Sequence, residues 1–326
     1  MGFAGLADAA AIEAEGPFDA RDLPRTMWGL LSRTAGRVPD RPAVTFQMFA
    51  DPKAPAETLS WAELRGRVAQ AANLFRSLGV GEGDAVAYLL PNCTEVVLAY
   101  LGGQVAGIVN PINPLLDAEQ IAAILRETKA KVLVTLRAFP RTEVAQKAAA
   151  AVALAPNVTT VLEVDLLRYL TGVKRLIVPL IRPKNPAAHE ARVLDFGREL
   201  ARQPRTLSFA DSAGDRVAAY FHTGGTTGLP KLAQHRYRGL IYNGWACDRL
   251  LFTEADTMIC PLPMFHVFAA VVCMGASVAS GAQIVFPTPQ GYRGEGVMDN
   301  FWKLIERHRV TFVITVPTAI SALMQR

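Results

Sequence analysis

The stretch LSWAELRGRVAQAANLFRSLGVGEGDAVAYLLPN, residues 59–92, holds one complete helix-to-strand unit. Ser60 followed three positions later by Glu63 forms a capping box, in which each side chain satisfies a backbone N–H that the helix start leaves open. Leu64, Val68, Ala71, Phe75 and Leu78 then recur on one helical face, and Gly79 ends the helix. DAVAYLL is a short apolar run bounded by Gly and Pro, the pattern of a buried strand.

The unit repeats outward. A helix from about Glu95 leads to a strand at GIVNPIN (107–113), and a helix beginning at Asp117 or Ala118 leads to KVLVT (131–135). The helix EVAQKAAAAVAL (143–154) precedes VTTVLEV (158–164). After residue 205 the alternation resumes: strands at 216–223 and 230–235, a helix at 238–251, a strand at 256–263, a helix at 296–309 and a strand at 310–317. Apolar strands alternating with helices predict an α/β fold of parallel sheets covered by helices on both faces.

The 326 residues are 51% hydrophobic and 19% charged, enough to bury a large core. Cys93, Cys247, Cys260 and Cys273 are widely spaced inside apolar segments, which suits a reducing cytoplasm better than a disulfide framework or a zinc site. The N-terminal segment carries acid where a signal peptide starts basic, so a cytoplasmic location is expected. The stretch 267–286 has no charge, but its Gly, Ala and Ser content and a turn signal at SGAQ predict a buried helix followed by a short strand.

The net charge of +5 is concentrated. Between Asp165 and Arg205 stand nine Lys or Arg against four Asp or Glu, including the basic and apolar run YLTGVKRLIVPLIRPK. A solvated connector is the plain reading; a peripheral membrane contact through 168–184 is the sharper one. Nucleic acid is not expected, because the cations are not interleaved with stacking aromatics.

FHTGGTTGLPKLAQH (221–235) packs three glycines, three threonines and a lysine into nine positions. Glycines let successive backbone N–H groups point inward into an anion nest, and hydroxyls and an ammonium add donors, so phosphate is the ligand that suits this loop. It is not the Walker loop: Lys231 follows Pro230 rather than Gly, Leu232 follows instead of Ser or Thr, and a strand rather than a helix lies behind.

TGGTTGLPK resembles the phosphate loop of the adenylate-forming superfamily, which includes acyl-CoA synthetases, firefly luciferase and peptide-synthetase adenylation domains. Residues 59–114, PLPMFHVFA (261–269) and VTFVITVPT (310–318) are similar to further stretches of that superfamily, so the likeness runs from about residue 25 to 326. It implies ATP-dependent activation of a carboxylic acid, a fatty acid above all, through acyl-AMP, then transfer to CoA, with Mg2+ as cofactor. By the same likeness Thr223, Gly224, Gly225, Thr226, Thr227 and Gly228 hold the β- and γ-phosphates, Thr223 also touches Mg2+, and Lys231 balances charge on pyrophosphate. Phe265 and His266 line the junction of acyl group and phosphate, with Lys231 and His266 as the catalytic candidates. His266 is not read as a general base, since a carboxylate nucleophile is already ionised at neutral pH. His222 and His235 flank the loop, and the plain reading turns His235 to solvent or a strand neighbour.

The expected organisation is a first α/β subdomain over 1–164, a basic, Pro-containing connector over 165–210, and a second α/β subdomain over 211–326. The superfamily's later Y-G-x-T-E segment, ribose-binding Asp and small domain with the catalytic lysine have no match before Arg326. The chain therefore reads as the front of a longer protein, inactive by itself. Two other functions share these motifs: adenylation of an aryl or amino acid for a carrier-protein thiol, and a non-catalytic nucleotide- or acyl-binding module.

Overall fold

The computed structural model describes residues 5–184, 187–223 and 231–325. Helix α1 (Leu6–Ala14) precedes α2 (Met27–Arg37), whose N-cap Thr26 accepts from the Gly29 N–H. A hairpin follows, β1 (Pro42–Gln47) antiparallel to β2 (Ala56–Ser60). Next, α3 (Trp61–Ser77) starts at Ser60 with both bonds of the capping box in place, and Gly79 takes φ +83° beyond its end. Strand β3 (Ala85–Leu89) is buried throughout. Helix and strand alternate on through α4 (Thr94–Ala106), β4 (Ile108–Pro111), α5 (Ala118–Glu127), β5 (Val132–Leu136), α6 (Val144–Ala153) and β6 (Thr160–Val164). Asp117 caps α5 and closes a second capping box with Gln120.

The basic segment supplies α7 (Gly172–Ile177), the edge strand β7 (Arg192–Asp195) and α8 (Phe196–Ala201), whose Phe196 is buried and stacks on Phe75. Beyond it come β8 (Val217–Thr223), β9 (Lys231–Arg236), α9 (Tyr237–Leu250) and β10 (Thr257–Ile259). The uncharged stretch 267–286 breaks as its composition predicts. A π-helix, Phe268–Cys273, runs into α10 (Met274–Ser280), Gly281 at φ +85° ends it, and β11 (Gln283–Phe286) follows. The described chain closes with α11 (Val297–Arg307), β12 (Phe312–Val313) and α12 (Pro317–Leu323). Among the described residues no helix is long and apolar enough to cross a membrane.

Two sheets result, ordered β7-β6-β5-β3-β4-β8-β9 and β12-β10-β11-β1-β2. Each is parallel except for one edge strand, β9 in the larger and β2 in the smaller. The sheets are thus mostly parallel, as expected, and the two antiparallel edges have a simple reason: the joining segments, 224–230 and 48–55, are too short for the crossover that a parallel pair needs. Nor are the sheets segregated along the chain, since Val44 of β1 pairs with Ile284 of β11.

Helices α3 and α4 lie between the sheets, with α4 packed on β3, β4 and β8 and also on β1. Every residue of this enclosed helix is buried, and all but Thr94, Glu95 and Gln104 are apolar or glycine, Glu95 being paired with Arg168. Gly102 permits the close approach of α3, because a Cβ there meets the Ala71 Cβ at 2.6 Å. The outer face of the larger sheet is covered by α5 and α6, and that of the smaller by α11 around Ile259, Phe301 and Leu304.

His308, directly after α11, places Nε2 2.9 Å from Gln47 Oε1. Burial, reinforced by the neighbouring Arg307, pushes its pKa down to about 4. The unfolded chain takes up a proton near the ordinary imidazole value of about 6.5 that the fold refuses. Stability present above pH about 6.5 is therefore lost as pH falls toward 4, by about 1–2 kcal/mol once partial exposure is allowed for. Thermal unfolding across that window should show a smaller acid loss for His308→Gln than for the wild type; equal losses would exclude His308 as the source.

Candidate active site

Strand β8 lies parallel to β4 and ends at Thr223, so the start of the glycine loop stands at the carboxyl edge of the larger sheet, where α/β sheets bind their ligands. The antiparallel pairing sets Thr223 opposite Lys231, and Thr223 Oγ1 donates to the Lys231 carbonyl at 3.2 Å. Both residues are exposed. The Thr223 hydroxyl, whose proton is given to the Lys231 carbonyl, and the Lys231 ammonium thus flank the mouth of one hairpin, and the ammonium is a donor suited to an anion. Gly224, Gly225, Thr226, Thr227 and Gly228 lie outside the described residues.

The two histidines beside the loop have separate surroundings. His222 is half-buried with Nε2 3.8 Å from Glu127 Oε2. Burial pushes its pKa down, and the Glu127 carboxylate pulls part of the way back. His235 meets the strand neighbour Phe221 edge-on with ring centres 5.2 Å apart, and burial lowers its pKa. A strand neighbour is the contact that its position in the sequence suggested.

Phe265 and His266 sit on a second turn, which follows β10 of the smaller sheet. Phe265 is half-buried and His266 exposed. The Phe268 N–H donates to His266 Nδ1 at 3.2 Å, so the neutral ring carries its proton on Nε2. The π-helix begins at that same Phe268, and such widened turns recur at functional sites.

The turn is fixed by residues of the larger sheet that the sequence reading missed. Asn92, 2% exposed, donates from Nδ2 to the Leu262 carbonyl and accepts at Oδ1 from the Met264 N–H, each at 2.9 Å. Its own N–H donates to the Pro289 carbonyl, and the Tyr88 hydroxyl donates to the Met264 carbonyl. A signal for Asn92 was present: a polar residue three positions past a buried strand stands where ligand-bearing loops gather. Tyr88 gave none, because within AVAYLL it reads as core. Asn92→Ala strands a buried carbonyl and a buried N–H, so a loss of about 2–3 kcal/mol is expected, read as a lower urea midpoint at unchanged slope. A midpoint equal to wild type would show the turn held elsewhere.

Thr223 with Lys231 and Phe265 with His266 therefore form two pairs on turns from different sheets. Among the described residues no hydrogen bond or ion pair joins one pair to the other, and no group of three or more His, Cys, Asp or Glu is placed to hold a metal ion.

Comparison with known proteins agrees with this architecture. The chain is 36% identical over 280 residues to the marinolic acid–CoA ligase of Pseudoalteromonas sp. (strain SANK 73390), covering 83% of this chain and 39% of that protein. It is 25% identical over 311 residues to the long-chain-fatty-acid–CoA ligase of Bacillus subtilis (strain 168), covering 92% and 52%. The crystal structure of the anthranilate CoA ligase AuaEII in complex with anthranoyl-AMP superposes with a TM-score of 0.72 at 21% identity, over 92% of this chain and 52% of that one. The chain thus spans about half the length of these relatives or less. Residues 31–326 match the family described as AMP-binding enzyme, and the chain belongs to that family.

Proposed function

We propose that the protein carrying this chain activates a carboxylic acid, a fatty acid in the first instance, and passes the acyl group to CoA in the cytoplasm. A carboxylate oxygen attacks the α-phosphorus of ATP, forming acyl-AMP and releasing pyrophosphate; the CoA thiol then displaces AMP and leaves a thioester. The observation that carries this reading is the hydroxyl and ammonium of Thr223 and Lys231 at the mouth of one hairpin, in a chain of the AMP-binding family. Both steps develop negative charge on phosphoryl oxygens, so positioned donors do most of the catalytic work.

Thr223 and Lys231 bind the departing pyrophosphate together with Gly224, Gly225, Thr226, Thr227 and Gly228. The Thr223 hydroxyl is a hard oxygen that would help to hold Mg2+, which would neutralise charge on the phosphates when bound. Phe265 packs beside the acyl group, and His266 offers its Nε2–H to the carboxylate–phosphate junction. Apolar acids partition into lipid, so a peripheral membrane contact through 168–184 belongs to the same reading. Residues 1–326 alone are proposed to turn over poorly.

The test is ATP–pyrophosphate exchange by the full gene product with acids from acetate to long-chain fatty acids, alongside benzoate and amino acids. Exchange peaking at one aliphatic length supports the proposal. A peak with an aryl or amino acid moves the substrate class toward carrier-protein loading. Bound ATP without exchange leaves a non-catalytic binding module.

A further inference from the structure

Val173, Leu176, Ile177, Leu180 and Ile181 follow the i, i+3, i+4, i+7, i+8 spacing of the stripe that a surface helix turns to its core. Helical bonding continues past the end of α7 to carry that stripe, with the Val178 N–H donating to the Lys174 carbonyl and the Ile181 N–H to the Ile177 carbonyl. The stripe faces outward: Leu176 is 73% exposed and Leu180 84%, while Val178 on the opposite side is half-buried. Phe49, partly exposed, extends it, with its ring 4.1 Å from Lys174 Nζ. A contiguous apolar face of this kind marks an interaction surface.

Its rim identifies what it meets. Lys174, Arg175 and Lys184 are exposed, and residues 166–189 contain no Asp or Glu. The other two cations of the run are already committed, Arg182 to both carboxylate oxygens of Asp165 and Arg168 to Glu57 and Glu95. A two-fold contact with a second copy sets the same patch against itself and brings like charges together. An anionic lipid surface instead matches apolar centre and cationic rim at once.

We propose that α7 and the turn through Ile181 dock the protein on anionic bilayers, with the apolar stripe at the acyl boundary and Lys174, Arg175 and Lys184 among the headgroups. This deepens the peripheral contact in the proposed function and rests on it. The test is co-sedimentation of the full gene product with phosphatidylcholine vesicles with and without phosphatidylserine, in the absence of ATP and acid. Binding should require phosphatidylserine and weaken with salt. Leu176→Ser with Leu180→Ser should weaken it about tenfold or more, and Lys174→Glu with Arg175→Glu should remove the phosphatidylserine-dependent part. Pyrophosphate exchange with a water-soluble acid, run in parallel, should be unchanged in both variants. It reports folding, and its failure in the wild type would count against acid activation alone. No phosphatidylserine-dependent binding, or equal binding by the variants, overturns the proposal. Self-association that the leucine variant abolishes, without vesicle binding, overturns it in favour of a second copy.

Discussion

Gly291→Ala should lower the stability of the protein by about 3–4 kcal/mol, one of the largest effects available from a single methyl group. Gly291 is buried at φ +55°, a conformation that costs an L-residue about 1–2 kcal/mol by itself. A Cβ there lies 1.9 Å from the Pro261 carbonyl oxygen, which is backbone and cannot swing aside. That oxygen also accepts from the Tyr292 N–H, so displacing it breaks a bond as well. Pro261 opens the turn that ends at His266, and Pro289, two positions earlier, accepts from Asn92. The strain therefore enters the candidate site directly, and exchange activity should fall with stability. Gly214→Ala is the control: nothing lies within 4 Å of its Cβ position, so its urea midpoint should stay within about 0.5 kcal/mol of wild type. Similar midpoints for the two variants would refute the close approach at Pro261.

The second large effect is expected in activity alone. Under the proposed function, Lys231→Ala should reduce pyrophosphate exchange about 100- to 1,000-fold, the scale for removing one positioned donor from a developing anion. Lys231 is exposed, so its stability should stay within about 0.5 kcal/mol of wild type. Lys231→Arg keeps the charge but changes its shape and reach, and should recover only part of the rate. Exchange by the alanine variant at the wild-type rate would remove Lys231 from the phosphate site. An equal fall in exchange and in folding would assign it a structural role.

Much of the fold is legible where local signals agree. Ser60 with Glu63 and Asp117 with Gln120 fix two helix starts, and the runs at β3 and β5 are almost wholly apolar because both faces are covered. Strand β2 is hard to read because AETLS lies at a sheet edge, with four of its five residues exposed or half-buried and only Leu59 buried. The strand expected at 310–317 narrows to β12, two half-buried residues, and α12 begins at Pro317. In the site, the glycine loop stands out by residue type alone, and of its candidate residues only Thr223 and Lys231 fall among the described ones. The staple made by Asn92 was not, because it depends on β3 and β10 being brought together from segments some 170 positions apart.

The pairing of β1 with β11 also bears on synthesis. As the chain leaves the ribosome, β3, β4, β5 and β6 can assemble once residue 164 has emerged, whereas the inner edge of β1 waits for residues 283–286. Through that interval β1 offers an open row of N–H and C=O groups beside buried Ala43, Val44 and Phe46. That edge is completed only by the last third of the chain, so slowing translation between β6 and β11 should lengthen its exposure.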